Sequence, residues 1–170
     1  DAGRLKIMSP NYICITAVFP DPERISAGLQ SCLGKKQAAF LQRAFMMDLI
    51  SACLKVPRSE VVLAFWPVES VDGFRDLIFL YQNEEKDRKI ARKAESIILI
   101  PQNGDKTGEK LGGLSQEIFD RGAKRLLFLK PDSPLIDPVV IRAAFELLKG
   151  HQMVTGPTFD GSYYIVGVDR

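Results

Sequence analysis

Two carboxylates in the C-terminal third are the residues best suited to chemistry. Asp132 closely follows the apolar run Leu126–Leu129, and Asp160 lies further along, between two short apolar segments. An apolar run without polar alternation is typical of a central strand in a parallel sheet, and ligands of such sheets bind beyond the carboxyl ends of the strands. Mg²⁺ is usually held by one or two carboxylates together with substrate phosphates. The pair therefore predicts a site for a metal and a phosphate-bearing ligand, provided that the two chain segments converge.

A purely structural role is the alternative for both residues. Asp132 would cap the turn that follows it, and Asp160 would form a type I′ hairpin turn with Gly161. Spacing alone leaves the metal-site and turn interpretations equally open.

A second polar segment, Gln102–Lys110 with the sequence QNGDKTGEK, leads into a predicted helix. Its spacing differs from the G-x-x-x-x-G-K-[ST] of a P-loop, which argues against an NTPase of that type. Backbone N–H groups at a helix N-terminus would still suit a phosphate or a base, and Lys106 and Lys110 would add positive charge. An ordinary surface loop with exposed lysines is the alternative.

These segments belong to an alternation of strands and helices, which predicts an α/β fold with a largely parallel sheet. The stretch 74–81 is ambiguous, and we interpret it as a short helix leading into an edge strand; a charged helix over 83–94 follows. The predicted strands are 12–18, 61–65, 97–100, 125–129, 153–155 and 163–168. The main predicted helices are 36–54, one after residue 108 that ends at Gly122, and one from Pro138 that ends at Gly150.

The size, charge and hydrophobic pattern of the chain limit the number of domains and the kinds of partner that it can have. With 170 residues and ordinary hydrophobic and charged fractions, it is predicted to form one domain, 1–170, truncated at the C-terminus relative to a complete open sheet. The formal net charge of +2 and the scattered basic residues argue against a nucleic-acid partner. No apolar run is long enough to span a membrane, and residues 1–6 do not resemble a signal peptide.

The cysteines and the single histidine carry no catalytic pattern. Cys14, Cys32 and Cys53 form neither a C-x-x-C pair nor a disulfide framework, which predicts a reducing, cytoplasmic location. Cys14 and Cys53 lie in apolar segments and are predicted core residues. His151 follows Gly150 at a predicted helix end, so a role as a surface cap is favoured over catalysis.

Three motifs together carry a family resemblance. The chain has QNGDKTGEK at 102–110, KPDSPL at 130–135 and GPTFDGSYYIVG at 156–167. These resemble Q-x-G-D-L-G-E-R (with one extra residue here), G-S-D-S-P-x-L-P and G-P-x-x-D-G-G-Y-Y-L-I-G. Those are the motifs of the small bacterial glycosyltransferase-A-like (GT-A-like) proteins of unassigned activity, relatives of the molybdenum cofactor and phospholactate guanylyltransferases. The resemblance extends from about Tyr12 to the end of the chain.

The resemblance implies a fold and a set of site residues. The fold would be a three-layer α/β/α sandwich with a mostly parallel, Rossmann-like sheet of the nucleotide-diphospho-sugar transferase (GT-A) type. Asp132 and Asp160 would be the catalytic and metal-binding carboxylates, with Mg²⁺ or Mn²⁺ as the cation. The ligand would be a nucleotide or nucleotide sugar, contacted by Arg24, Gln102, Gly104, Asp105, Lys106 and Ser133.

The chain departs from the family in its N-terminal motif. The family signature is close to F-A-K-x-P-x-P-G-x-V-K-T-R-L, whereas this chain has TAVFPDPERISAGL at 16–29. Arg24 is retained, but four family residues are replaced: the first lysine by Val18, the glycine by Glu23, the second lysine by Ser26 and the arginine by Gly28. Each charge-assisted hydrogen bond contributes about 1.5–3 kcal/mol, so losing these cations weakens polyphosphate binding unless Arg24 and Lys106 replace them.

Two functional hypotheses follow. The first is a glycosyltransferase or nucleotidyltransferase that binds an NTP or a nucleotide sugar with a divalent metal. The second is a catalytically inactive family member that acts as a binding or assembly module, with a contact to a partner or to a second copy of the chain in a homo-oligomer. An unrelated α/β hydrolase or binding protein is the remaining alternative.

Overall fold

The structure, a computed structural model, describes residues 10–25 and 27–170. The interpretations given above for residues 1–6 and for Ser26 concern positions outside the described residues. Six strands are described: β1 Asn11–Val18, β2 Ser59–Trp66, β3 Ile98–Pro101, β4 Arg125–Leu129, β5 Met153–Pro157 and β6 Tyr163–Asp169. The helices of the same part are α1 Ala27–Leu33, α2 Lys35–Leu54, α3 Val71–Glu84, α4 Arg88–Ala94, α5 Thr107–Asp120 and α6 Pro138–Leu147.

The six strands form one sheet in the order β3-β2-β1-β4-β6-β5. β1 is parallel to both β2 and β4, and β2 is parallel to β3. β6 runs antiparallel to its two neighbours, β4 and β5. The sheet is therefore mostly parallel, as predicted, and β1 and β4 are its central strands.

Helices cover the two faces of the sheet. Alternate residues of each strand point to opposite faces, so Ile13 and Leu127 pack in one core with α2, α3 and α6, whereas Cys14 and Phe128 pack in the other with α5. The hydrophobic runs in β1 and β4 are thus explained by burial on both sides. This arrangement confirms the predicted three-layer α/β/α sandwich.

The region 74–84 differs from the prediction. It is helical throughout, as part of α3, and the predicted edge strand is wrong. The apolar residues Phe74, Leu77, Ile78 and Tyr81 are spaced by three or four and are all buried, which is the pattern of one helix face. The predicted charged helix exists only from Arg88 onward, where Asp87 caps it by accepting a 2.8 Å hydrogen bond from Lys89 N. Helix α1 was not predicted.

Other local predictions are confirmed. Asp137 caps α6, since its carboxylate accepts a hydrogen bond from Val139 N at 2.6 Å. Cys14 and Cys53 are fully buried. His151 is exposed, and its Nδ1 lies 2.9 Å from the carbonyl oxygen of Leu147, near the end of α6. Among the described residues, no helix combines the length and apolar character that crossing a membrane requires.

Candidate functional site

A cavity of about 290 Å³ opens at the carboxyl edge of the sheet, beyond the ends of β1 and β4. This is the place where open α/β sheets bind ligands. Most of its wall comes from the end of β1, the segment that follows β4 and the first turns of α5, and α2, the residue after β3 and the start of β6 contribute one residue each. The lining residues are Thr16, Val18, Gln42, Gln102, Thr107, Lys110, Leu111, Lys130, Pro131, Asp132 and Tyr163.

Asp132 is on the cavity wall and its side chain is free. The preceding residue, Pro131, is buried, and Ser133 N donates a 3.3 Å hydrogen bond to Lys130 O, which fixes the turn. Asp132 itself is exposed, and its carboxylate forms no hydrogen bond or ion pair with any described residue. The alternative role of Asp132 as a cap of this turn is therefore wrong. Its carboxylate remains available to a ligand.

Asp160 is placed differently. It is exposed, is absent from the cavity wall, and accepts hydrogen bonds from Thr158 Oγ1 and from Ser162 N, the latter at 3.0 Å. These two bonds favour the ionised form and hold the pKa of the Asp160 carboxyl below its usual range. The predicted type I′ turn is wrong, because Gly161 has φ of 81° while Asp160 does not have a positive φ. Instead, Gly161 N donates to Thr158 O at 3.1 Å.

Lys130 brings a cation to the cavity that the sequence analysis did not select. Its Nζ donates a 2.9 Å hydrogen bond to Ser162 Oγ and lies 4.2 Å from the ring centroid of Tyr163. Lys130 stands where the resembling family has glycine, and that replacement by a charged residue was the available signal. Because Lys130 follows β4 and Ser162 precedes β6, this contact joins the two C-terminal motifs.

Lys110 is the second cation on the cavity wall. It lies in the second turn of α5, and its Nζ is 5.5 Å from the ring centroid of Trp66. The guanidinium carbon of Arg24 lies at the same distance, 5.5 Å, from that centroid. Arg24 does not line the cavity. It contacts Trp66, and Trp66 in turn contacts Lys110 of the cavity wall.

Among the residues predicted to bind the ligand in the segment 102–106, the cavity wall includes only Gln102. The Nε2 of Gln102 donates to Ala17 O at 3.2 Å and to Ala64 O at 2.7 Å, so this amide holds the ends of β1 and β2 together. Gly104, Asp105 and Lys106 lie away from the wall. The backbone N–H groups of Asp105 and Lys106 already donate to Glu109 Oε2, at 3.1 and 3.2 Å.

Gln42 adds an uncharged polar group to the cavity. Gln42 of α2 lines the cavity, and its Oε1 is buried without a hydrogen-bond partner among the described residues. A buried acceptor of this kind is suited to an N–H or O–H group of a ligand.

Ser133 lies outside the cavity, in a neighbouring apolar groove that it shares with Ile136 and Tyr164. Tyr163 and Tyr164 therefore face different sites, as their alternation along β6 predicts.

Comparison with known protein families identifies the family of the chain. The sequence profile of DUF2064, described as an uncharacterized protein conserved in bacteria, matches residues 68–170. The chain belongs to the DUF2064 family. Among curated protein sequences, no significant match is found. The profile covers Lys110, Lys130 and Asp132, and thus most of the cavity wall of this DUF2064 protein.

Solved structures show the same fold. A protein from Desulfovibrio desulfuricans G20, provisionally described as a nucleotide-diphospho-sugar transferase, superposes with a TM-score of 0.75 at 23% identity. The alignment covers 95% of this chain and 64% of that protein, so the chain spans less than two thirds of its neighbour's length.

More distant neighbours belong to the same fold type. The 4-diphosphocytidyl-2C-methyl-D-erythritol synthase of Anaerococcus prevotii DSM 20548 has a TM-score of 0.54 at 15% identity, over 94% of this chain and 70% of that one. A CMP:2-keto-3-deoxy-manno-octonic acid synthetase complexed with CTP has a TM-score of 0.50 at 11% identity, over 94% and 73%. The DUF2064 protein thus has the predicted nucleotide-diphospho-sugar transferase (GT-A) type of fold.

Proposed function

We propose that the cavity binds a nucleoside triphosphate or a nucleotide sugar and that the protein is a nucleotidyltransferase or glycosyltransferase. One observation carries this proposal: the free carboxylate of Asp132 lies in the same cavity wall as Lys110 and Lys130. The cavity opens at the ligand-binding edge of the sheet. A carboxylate for a cation and two lysines for phosphates are the side chains that a metal–polyphosphate ligand requires.

The residues present fit Mg²⁺ or Mn²⁺ only when a phosphate ligand completes the coordination. Among the described residues, no group of three or more His, Cys, Asp or Glu side chains forms a ready metal site. One carboxylate with substrate phosphates is, however, a usual arrangement for Mg²⁺. Asp132 is therefore the proposed primary ligand. Asp160 is the proposed second ligand: Thr158 and Ser162 both donate to its Oδ1, which leaves Oδ2 for the cation.

The protein's own groups would mainly position the ligand and neutralise its charge. Lys110 and Lys130 approach the cavity from α5 and from the end of β4, so they bracket it. They would supply the cations that the N-terminal motif lacks, since Val18 at the end of β1 lines the wall where the resembling family has a lysine. Placing an acceptor oxygen in line with a phosphoryl or glycosyl centre is a large part of such catalysis. A bound divalent cation would polarise the reacting phosphate.

The other predicted ligand contacts remain proposals for parts of the ligand outside the cavity. Ser133 borders the apolar groove beside Tyr164, a place suited to the acceptor. Gly104, Asp105 and Lys106 lie on the loop before α5, where the Lys106 side chain is exposed and would contact a ligand that extends past Lys110. We propose no nucleic-acid partner, because the formal net charge is only +2.

A binding or assembly module without turnover is the second candidate, and two observations favour it. Glu23, which replaces the family's glycine in the loop after β1, pairs with Lys35 at 2.5 Å and does not line the cavity. Phe40 of α2 and Phe79 of α3 are 76% and 62% exposed, and exposed apolar side chains of this size are common where proteins meet partners. A second copy of the chain in a homo-oligomer is one such partner.

A thermal-shift titration tests the proposed function. Nucleoside triphosphates and nucleotide sugars are each added with and without Mn²⁺, to the wild type and to Asp132→Asn. A ligand at a hundredfold excess over Kd stabilises the fold by about 2.7 kcal/mol. We expect a metal-dependent shift with at least one nucleotide, which Asp132→Asn loses.

The best ligand then enters an assay for release of pyrophosphate or nucleoside diphosphate. Turnover supports the transferase. Metal-dependent binding without turnover supports the module. A flat response across the panel, with cooperative melting intact, contradicts nucleotide binding altogether, and sedimentation analysis of self-association becomes the next measurement.

A further inference from the structure

Trp66 occupies a distinctive place beside the cavity. It is the last residue of β2 and the only tryptophan of the chain, and 42% of it is exposed. Its neighbour in the register is Val18 of β1, which lines the cavity. Large aromatic side chains are usually buried, so an exposed indole at the ligand-binding edge of a sheet suggests a surface that a ligand covers.

The backbone at Trp66, which carries the indole, is fixed by a hydrogen bond to the loop after β1. Phe19 N donates a 2.9 Å hydrogen bond to Trp66 O. The Phe19 ring packs edge-on against Phe74, with centroids 5.2 Å apart, and a Cβ atom at Gly73 would lie 2.5 Å from that ring. The end of β2 and the loop after β1 are therefore packed together tightly, and the indole projects from a preorganised support.

Two cations lie over the indole ring. The guanidinium carbon of Arg24 and Nζ of Lys110 are each 5.5 Å from the ring centroid, and Lys110 also forms part of the cavity wall. The ring and the cavity thus share one lysine. A phosphate bound by Lys110 would lie next to whatever covers the ring, which connects an aromatic surface directly to a phosphate site.

We propose that the indole of Trp66 is the platform on which the nucleobase stacks: the base takes the place of the Lys110 ammonium over the ring, Arg24 stays over the ring, and Lys110 and Lys130 hold the phosphates. This inference rests on the proposed nucleotide binding and names the base subsite of that same cavity. Each of the nucleobases can stack on an aromatic ring, because every base has a flat π-face. The platform therefore makes the base a main source of affinity for this protein.

The order of the strands supports a base, rather than a sugar, on this ring. Trp66 ends β2, whereas Lys130 and Asp132 follow β4, and β1 lies between the two strands. Two strand spacings separate these positions by about 10 Å. An extended nucleotide covers such a span when its base lies at β2 and its terminal phosphates lie at β4, beside the proposed metal ligand.

The single tryptophan makes the test direct. Intrinsic fluorescence is recorded while ATP, GTP, CTP or UTP is added with Mg²⁺, and then while inorganic tripolyphosphate or glucose 1-phosphate is added. Calorimetry gives the affinities for the wild type, Trp66→Leu and Trp66→Phe. Leucine keeps an apolar side chain without a π-face, and phenylalanine restores a ring. Trp66 is partly exposed, so circular dichroism and melting serve to confirm that both variants fold.

We expect at least one nucleotide to quench the fluorescence and tripolyphosphate to leave it unchanged. Trp66→Leu should lose about tenfold in nucleotide affinity, Trp66→Phe should retain most of it, and tripolyphosphate affinity should be equal in all three proteins. Nucleotide binding that is unaffected by Trp66→Leu overturns this inference alone. Quenching by glucose 1-phosphate but by no nucleotide also overturns it, in favour of a sugar. Absence of any binding overturns it together with the proposed function.

Discussion

Lys130 and Ser162 form a hydrogen bond of 2.9 Å between the end of β4 and the turn that precedes β6. The same ammonium group lies 4.2 Å from the ring of Tyr163, and it lines the cavity beside Asp132. A cation is thereby fixed on the wall of the cavity. It follows β4, whereas the lysines that the chain lacks would have come from the end of β1 and the loop after it.

Replacing Lys130 by glutamine should weaken nucleotide binding. The substitution keeps much of the side-chain length but removes the charge. A hydrogen bond to a charged group contributes about 1.5–3 kcal/mol, so we expect roughly a 10- to 150-fold rise in Kd, measured by calorimetry. The loss should be larger at low salt than at high salt.

Lys149→Gln is the matched control for this experiment. Lys149 pairs with Glu146 near the end of α6 and does not line the cavity. Equal affinity losses in the two variants would show that general positive charge, rather than the position of Lys130, governs binding.

Asp132→Asn and Asp160→Asn should differ in how strongly they reduce the Mn²⁺ dependence of nucleotide binding. Asp132 has a free carboxylate on the cavity wall, so Asp132→Asn should abolish the Mn²⁺ dependence of nucleotide binding. Asp160, the proposed second ligand, lies outside the cavity wall and accepts hydrogen bonds from Thr158 and Ser162, so Asp160→Asn should weaken that dependence less than Asp132→Asn does. Titration of Mn²⁺ followed by electron paramagnetic resonance measures both. If Asp160→Asn removes the metal dependence as fully as Asp132→Asn, the ranking of Asp132 as the primary ligand is wrong.

Two glycine substitutions should shift stability in opposite directions. A Cβ atom at Gly167 would lie 2.5 Å from Leu127 Cδ2 and 2.7 Å from Val154 Cγ2, so Gly167→Ala should cost about 1–3 kcal/mol. At Gly112, inside α5, nothing lies within 4 Å of the added atom, so Gly112→Ala should stabilise by about 0.5–1 kcal/mol. Urea unfolding measures both changes. A stabilising Gly167→Ala would mean that β6 does not pack against β4 as described.

Tyr81 should make the protein less stable in alkaline solution. Burial raises the pKa of Tyr81 from 10.0 to about 12. Between these values the unfolded chain loses the phenolic proton while the folded chain keeps it, so the free energy of unfolding falls as the pH rises from 10 to 12. Tyr81→Phe should lower stability at neutral pH, because its hydrogen bond to Glu85 is lost, but should show a shallower alkaline decline. Equal slopes for wild type and variant in urea unfolding at several pH values would contradict this.

Sequence patterns were sufficient where one local interaction decides the structure. The N-cap at Asp137, the burial of Cys14 and the two central strands followed from capping preference and uninterrupted apolar runs. The stretch 74–81 was misjudged because short apolar runs fit a helix or a strand, and only its packing against the core decides between them. The type I′ turn at Asp160, left open as an alternative, is not the one formed, because Asp-Gly pairs occur in several turn types.

The sequence by itself determined the α/β fold, the family resemblance and the position of Asp132 at the end of a central strand, because these depend on periodicity and motif. Only the tertiary structure decided which side chains share the cavity. It placed Lys110, Lys130 and the buried Oε1 of Gln42 around it, and left Asp160, Gly104 and Lys106 outside its wall. The physical reason is that strand order and helix packing set distances between residues far apart in the chain, and no local pattern encodes those distances.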